Sequence, residues 1–399
     1  MAYSSLLYLS ICFLVLFHGC LAQSEQVTGR SQRPQQQRFQ TECRINNLNA
    51  REPAKSFEAE AGLTEYWTPN DEQFRCAGVD LVRHTIQCRG LLLPSFSNAP
   101  KLIYVVQGRG LHGAAIPGCP ETFQSELHQK VHQIQEGDIL AVPTGIAHWI
   151  YNDGESQLIL VELHDTSNQA NQLDENARSW QGSRSRSQSQ GQELVMRIQN
   201  RDDRRGRIVL VEDALPVLSP QSRGEEREER GWDRDNGVEE TFCTLRLKHN
   251  IADPQRADVY NERGGRITKL TSLNLPILRY IQPSAERGVL YTNALVAPHY
   301  NMNCHTVIYV IRGNARLRVV GENGKNDLTG MFGKLVAFKT NHNVEINPLA
   351  GRLSAMRAFP EDVLINAYRI DMEEARRLKY NREETTLFSS ESFGWQHRN

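Results

Sequence analysis

The stretch GDILAVPTGIAHWIYN, Gly137 to Asn152, carries one histidine in an apolar frame, entered at a glycine and closed at an asparagine. It reads as a pair of short strands around Pro143 and Gly145, the residue types that punctuate turns. Two readings of His148 follow: a metal ligand in an active site, or a packed residue in the wall of a barrel.

Runs rich in Val, Ile, Leu and Tyr, broken by Gly and Pro, surround this stretch from about Val79 to Thr166. VDLVRHTIQ, KLIYVVQGRG and QLILVELHD are examples. Short strands at this spacing predict a β-barrel or jelly roll. SWQGSRSRSQSQGQ (Ser179 to Gln192) reads as a solvated loop, because a chain of neutral net charge lacks the basic excess of an RNA-binding protein. RGRIVLVEDALPVLSP adds one more strand. RGEEREERGWDRDNG (Arg223 to Gly237) has mixed charge and almost nothing to bury, so it reads as an exposed linker.

Beyond Gly237 the strand-like runs resume as a repeat. RGLLLPSFSNAP (Arg89 to Pro100) matches RGVLYTNALVAP (Arg287 to Pro298) at five of twelve positions, and LIYVVQGRG (Leu102 to Gly110) matches VIYVIRGNA (Val307 to Ala315). The offset is 198 from Arg89 to Arg287 and 205 from Leu102 to Val307, so seven extra residues are expected between the two pairs. Such a period means a duplicated barrel domain, since solenoid repeats run to roughly 20 to 50 residues. PEDVLINAYRIDMEEARRLKYNRE, from Pro360, predicts helix, with Pro360 in the first turn and Val363, Leu364, Ala367 and Ile370 on one face.

A chain of 399 residues has room for two or three domains. Its net charge of −1 gives no global field favouring nucleic acid. Of the 46 basic residues 37 are arginine, which fits either a compositional bias or a nitrogen reserve. LLYLSICFLVLF (Leu6 to Phe17), followed by Cys20 and Ala22 at the −3 and −1 positions, reads as a secretory signal over residues 1–22, cleaved between Ala22 and Gln23. No Lys or Arg precedes it, and it falls short of the roughly 20 apolar residues of a membrane span. No later stretch approaches that length, so the mature chain is expected to be soluble and lumenal. Residues 23–42 form a Gln-rich arm with little apolar content. Six cysteines remain after the signal: Cys43, Cys76, Cys88, Cys119, Cys243 and Cys304. In an oxidising compartment some should pair, with 15 full connectivities open. CxxC, HExxH and Asn-x-Ser/Thr are all missing from the sequence, which argues against a zinc ribbon, a zinc protease and an N-linked glycan.

The opening stretch also fits G-x5-P-x-G-x2-H-x3-N, the second motif of the cupins, through Gly137, Pro143, Gly145, His148 and Asn152. NGVEETFC (Asn236 to Cys243), FRCAGVDLVRHTIQ, HQKVHQIQEGD and INPLAGRLSAMRAFPEDVLINAYRIDMEEARRLKYNRE extend the likeness. Over nearly the whole chain after the signal, the sequence resembles the legumin-type (11S, glutelin-like) seed storage globulins. The resemblance implies an all-β dominated bicupin: two jelly-roll barrels with flanking helices, over 43–220 and 237–399, joined by the charged linker 221–236. It implies a nutrient reservoir, a nitrogen and amino-acid store mobilised by proteolysis, rather than an enzyme. No cofactor, nucleic acid or membrane partner is implied. The route would lead from the endoplasmic reticulum to the protein storage vacuole, where an asparaginyl endopeptidase would cut between Asn236 and Gly237. The resulting acidic and basic chains would stay joined by Cys119–Cys243, with Cys43–Cys76 inside the acidic chain. Assembly would be a trimer, then a hexamer after cleavage. Cys88 and Cys304 are left without family partners. Read on its residues alone, Asn236–Gly237 is also a favoured turn pair.

A catalytic cupin adds a first motif, G-x5-H-x-H-x3–4-E-x6-G, whose histidines and glutamate complete a metal site. The stretch ending at Gly108, RGLLLPSFSNAPKLIYVVQG, holds no His and no Glu. His148 is therefore expected to be a hydrogen-bonded wall residue, with His112, His128 and His132 outside the motif register. In the second copy, His299 keeps the first ligand position, Asn301 and Thr306 replace the others, and His305 is out of register. A stray zinc at Cys304, His305 and His299 is the residual possibility, and no metal is expected in either barrel. A two-barrel metalloenzyme of the oxalate decarboxylase or oxidase kind, and a small-ligand-binding cupin, are the alternative functions. The copies differ in length: Gly108 to Gln157 spans 49 positions, Gly313 to Lys334 spans 21, so the second is 28 short. What is missing is the counterpart of the opening stretch, with GENGKNDLTGMFGK in its place. The region from Asn176 to Gln199 is also short against the family. A truncated precursor with an incomplete second barrel, exposed sheet edges and a reduced core is expected.

Overall fold

The computed structural model describes residues 48–67, 71–116, 130–169, 171, 179–181, 207–212, 215, 245–313, 316–320, 326–330, 334–381 and 383–389. The expected signal, the Gln-rich arm and the linker 221–236 lie outside these residues.

The first unit begins with β1 (Lys55–Ala59), β2 (Gly62–Tyr66), β3 (Val79–Ile86), β4 (Gly90–Ser97), β5 (Lys101–Gln107) and β6 (Arg109–Ala115). It continues with β7 (Lys130–Gln135), β8 (Asp138–Val142), β9 (Ala147–Tyr151), β10 (Leu158–Asp165), β11 (Ser179–Gln181) and β12 (Ile208–Leu210). One antiparallel sheet runs β1-β2-β3-β10-β5-β8 and is completed by β13 (Lys248–Asn250). The other runs β11-β4-β9-β6-β7, with β12 also on β4. The three apolar runs read from the sequence form β3, β5 and β10. Ile86, Ile103, Leu140, Ile150, Leu158 and Leu160 are fully buried and belong to one core.

The second unit repeats the pattern. Its strands are β14 (Val259–Asn261), β15 (Gly265–Leu270), β16 (Ser284–Leu290), β17 (Ala294–Val296), β18 (His299–Asn301) and β19 (Thr306–Arg312). Then come β20 (Leu317–Val320), β21 (Asn326–Gly330), β22 (Lys334–Lys339), β23 (Ile346–Pro348) and β24 (Leu387–Ser389). Strand register fixes the equivalences. Val161 lies between Arg83 and Tyr104, and Val336 lies between Arg287 and Tyr309, with a β-bulge at the same place in each ladder.

Arg287 is therefore the counterpart of Arg83, an offset of 204, and not of Arg89 as the short sequence match suggested. Arg89 corresponds to Asn293, both at φ 61°, at the head of β4 and β17. Pro298 then answers to Pro94, and a single added residue, not seven, brings the offset to 205 at Tyr104 and Tyr309. The Arg-Gly and Ala-Pro pairs shared by the two segments do not follow the strand register.

β21 corresponds to β7 and β22 to β10, so among the described residues nothing corresponds to β8 and β9. The consequences are visible on both faces. The sheet β14-β15-β16-β22-β19 stops at β19, whereas β5, its counterpart, is followed by β8 and β13. In the first unit β9 bridges β4 and β6; without such a bridge the second unit's other strands remain as three separate pairs, β17-β24, β18-β23 and β20-β21. The incomplete second barrel read from the sequence is thus the one observed.

One contact joins the units twice, with the roles exchanged. Arg83 Nη1 donates to Tyr309 Oη at 3.2 Å, and Arg287 Nε donates to Tyr104 Oη at 3.2 Å. A second junction is β13. Leu247 and Ile251 beside it are buried, and Asp138 of β8 accepts from Lys248 Nζ (3.2 Å), Asn250 Nδ2 (2.8 Å) and the Gln135 amide (3.0 Å).

The C-terminal helices span Glu361–Tyr368 and Met372–Tyr380. Pro360 caps the first, which ends at Arg369 in the left-handed region, φ 55°. Ile370 therefore lies beyond the helix. Of the expected apolar face, Leu364 is buried while Val363 and Ala367 are exposed, which corrects the sequence reading. Among the described residues no helix is long and apolar enough to cross a membrane.

Tyr104 is fully buried, so Tyr104→Phe leaves the Arg287 guanidinium without its acceptor and is expected to cost about 1.5–3 kcal/mol. Tyr309→Phe, on a half-buried residue, should cost less. Urea midpoints of the two variants check the order; no loss in either would show that the bonds add nothing to the interface.

Candidate functional site

The motif residues of the opening stretch build a corner. Gly137 sits at φ 87° between β7 and β8, where a side chain would collide with that of Ala252. Pro143 ends β8, and Gly145, at φ 78°, donates its amide to the Ser97 carbonyl at 2.9 Å. Asn152 is fully buried. Its amide side chain donates to the carbonyls of Ile86 (2.9 Å) and Ser156 (2.8 Å), and its Oδ1 accepts from the Gly154 amide at 2.9 Å. One side chain thus ties the ends of β3 and β9 to the turn before β10.

The corner aims His148 into the barrel, where it is buried. Counting back from Gly108, the three ligand positions of the first cupin motif fall on Ser95, Ser97 and Lys101. Ser95 lies directly across the β4–β9 ladder from His148. Lys101 Nζ lies 3.2 Å from His148 Nε2. An ammonium only donates, so that nitrogen must carry the lone pair and the imidazole is neutral.

Lys101 also approaches Glu162 Oε2 at 3.5 Å, and the same oxygen takes a 3.1 Å bond from His164 Nε2. His84 Nε2 stands 3.5 Å from the other Glu162 oxygen, and its Nδ1 bonds Thr64 Oγ1 at 3.0 Å. The His112 ring packs beside His148, centroids 5.5 Å apart. Five strands supply this cluster besides β9, so no local motif in the sequence announced it. The usable signal is a charged or imidazole side chain at a buried strand position: His84 in β3, Glu162 and His164 in β10. His112, out of register with the cupin motif, is nonetheless His148's neighbour.

Burial alone would raise the Glu162 carboxyl. The Lys101 ammonium, then His84 and His164, override it and hold the carboxyl well below its ordinary range. Burial pushes Lys101 down, partly offset by Glu162. Burial, reinforced by Lys101, keeps His148 far below its usual value. Burial brings His112 to about 3 and, against the pull of Glu162, His164 to about 4.

This chemistry does not suit a cupin metal ion. Two ligand positions are hydroxyls, and the third is a cation on the face where the metal would need an anion. In the second unit the matching groups bond to protein instead: His299 Nδ1 to the Ala297 carbonyl at 2.8 Å, and Asn301 Nδ2 to Thr306 Oγ1 at 2.8 Å. Among the described residues no three His, Cys, Asp or Glu side chains are placed to hold a metal.

Cys76 is disulfide-bonded, with a partner outside the described residues; Cys88, exposed, and Cys304, half-buried, are free. Ala22, Gln23, Cys43, Cys119, His128, Asn236, Gly237 and Cys243 also lie outside them.

The fold has close parallels among known proteins. The cupin family model matches residues 48–186 and 249–334. The 11S globulin seed storage protein Ana o 2.0101 of Anacardium occidentale is 43% identical over 459 aligned positions, covering 96% of this chain and 98% of that protein. The chain belongs to the cupin family, among the 11S globulins. The 11S globulin subunit beta of Cucurbita maxima is likewise 43% identical over 98% of both chains. The crystal structure of the coconut allergen cocosin superposes with a TM-score of 0.77 at 43% identity, covering 88% of this chain and all of that one. This 11S globulin is a seed storage protein, like relatives that are storage globulins rather than enzymes. The Anacardium alignment spans 459 positions against 399 residues here, so at least 60 positions of the alignment are gaps in this chain.

Lys101→Met would leave Glu162 buried without its cation. A loss of about 3–5 kcal/mol is expected, partly recovered when Glu162→Gln is added, as a double-mutant denaturation series would show. The pH sign follows from the depressed histidines: the unfolded chain takes up protons below about 6.5 that the folded barrel refuses. Their stabilisation is full above that pH and is lost as pH falls towards 4 and then 3. His164→Asn should flatten the upper part of this acid slope in unfolding measurements; an unchanged slope would refute the assignment.

Proposed function

We propose that this globulin is a nitrogen and amino-acid reserve, laid down as a self-assembled oligomer in the protein storage vacuole and released by proteolysis. The observation that carries the reading is identity above 40% with named seed storage proteins over nearly the full chain. The 37 arginines, four nitrogens each with the backbone amide, and the long Gln-rich arm suit that purpose. Secretion would begin with cleavage between Ala22 and Gln23.

Processing would follow between Asn236 and Gly237 by an asparaginyl endopeptidase, dividing 43–220 with the linker 221–236 from 237–399. Such a cut falls in a charged segment upstream of β13, so the downstream chain would keep its strand on β8. Cys119–Cys243 would add a covalent link, and the bonded state of Cys76 supports the pairing Cys43–Cys76. Trimers, then hexamers after the cut, are the proposed assemblies. A metal-dependent decarboxylase or oxidase is disfavoured by Lys101 in a ligand position.

Mass spectrometry of the protein from its natural source tests the reading. Two chains beginning at Gln23 and Gly237, separable only after reduction, are expected, and Asn236→Gln should leave one uncut chain. A single mature chain in storage tissue would sink the processing scheme. Sedimentation of the same material should give trimer-sized and hexamer-sized species.

A further inference from the structure

β19 is bonded along one edge only. It pairs with β22 from Thr306 to Arg312, and among the described residues no backbone group bonds its other side. Its counterpart β5 is paired on both sides, with β10 and with β8. The first unit therefore shows what such a position holds. β8 is Asp138-Ile139-Leu140-Ala141-Val142, all five residues buried, antiparallel to β5 with Ile139 across from Tyr104 and Leu140 across from Ile103.

Tyr104 and Ile103 correspond to Tyr309 and Ile308, so the same backbone lattice is presented in the second unit. β19 carries no proline, and its one charge, Arg312, and its β-bulge both lie at the C-terminal end, so the stretch from Thr306 to Val310 has neither of these edge-blunting devices. Val307, Ile308, Val310 and Ile311 are each half-buried, and Val307 and Ile311 pack against the core. Trp67 packs edge-on against Tyr309 at 6.3 Å and braces the strand from the first unit.

We propose that the free edge of β19 is a binding site for an extended, apolar peptide strand, which adds antiparallel to β19 as β8 adds to β5. Main-chain hydrogen bonds supply the attraction and alternate side chains meet Ile308 and Val310. The partner is a strand of about five residues of the β8 kind, apolar beyond an acidic first residue. A second copy of this chain cannot donate its own β8, which is already held between β5 and β13. The proposal does not depend on the storage role or on processing.

The test adds a fluorescein-labelled peptide of residues 136–152 to the full-length protein, read by anisotropy and by hydrogen exchange. Saturable one-to-one binding and slowed exchange across 306–312 are expected. A scrambled peptide should not bind, and Val310→Lys should weaken binding at least tenfold with an unchanged circular dichroism spectrum. Absence of saturable binding to folded protein, or equal binding of the scrambled peptide, overturns the proposal. So does slow exchange of 306–312 without peptide, since the edge would then already be covered; sedimentation would show whether by the chain itself or by a second copy.

Discussion

β9 is hydrogen-bonded along both of its edges, to β4 on one side and β6 on the other, and much of the molecule depends on that double attachment. Backbone donors and acceptors inside a protein must find partners, so a strand in the middle of a sheet decides whether its neighbours form one layer or fragments. In the first unit β9 makes one layer of five consecutive strands. In the second unit, where the corresponding residues are missing, the same neighbours persist only as pairs. The hairpin partner β8 has the matching effect on the opposite face, since it carries β13 and so fastens the downstream half of the chain to the upstream barrel.

The corner that turns β8 into β9 also places His148, and the barrel interior has been filled around it. A buried ion pair is expensive to assemble unless its remaining valences are met. Here Glu162 has an ammonium and two imidazoles around it, and Lys101 has a carboxylate and an imidazole lone pair. Lys101 brings the positive charge that a catalytic relative would import as a metal ion. Around that pair, His148 Nδ1, His164 Nδ1, Glu162 Oε1 and both His112 nitrogens are buried without a hydrogen-bond partner among the described residues.

Much of this was legible in the sequence because it was local. The apolar runs of β3, β5 and β10 and the turn residues Pro143 and Gly145 declare themselves within windows of a dozen residues, and the duplication and the missing segment show when the two copies are laid side by side. What was not legible depended on register or on convergence. The match of Arg89 with Arg287 failed because identities in a short window say nothing about which residues face one another across a ladder. His84, His112 and Glu162 were missed because they meet only through inward alternation on separate strands. The apolar stripe drawn through Val363, Ala367 and Ile370 failed because Arg369 adopts a left-handed conformation and ends the helix before Ile370.

The paired bonds Arg83–Tyr309 and Arg287–Tyr104 have a historical meaning as well as a mechanical one. Equivalent residues of the two copies meet in both directions, which is the property of an isologous contact about a dyad. A single barrel carrying one such arginine and one such tyrosine would make the bond twice by dimerising with itself. Fusion of two such subunits into one chain preserves the contact without inventing a new surface. It also makes association of the halves intramolecular, so that their pairing no longer depends on how much protein is present.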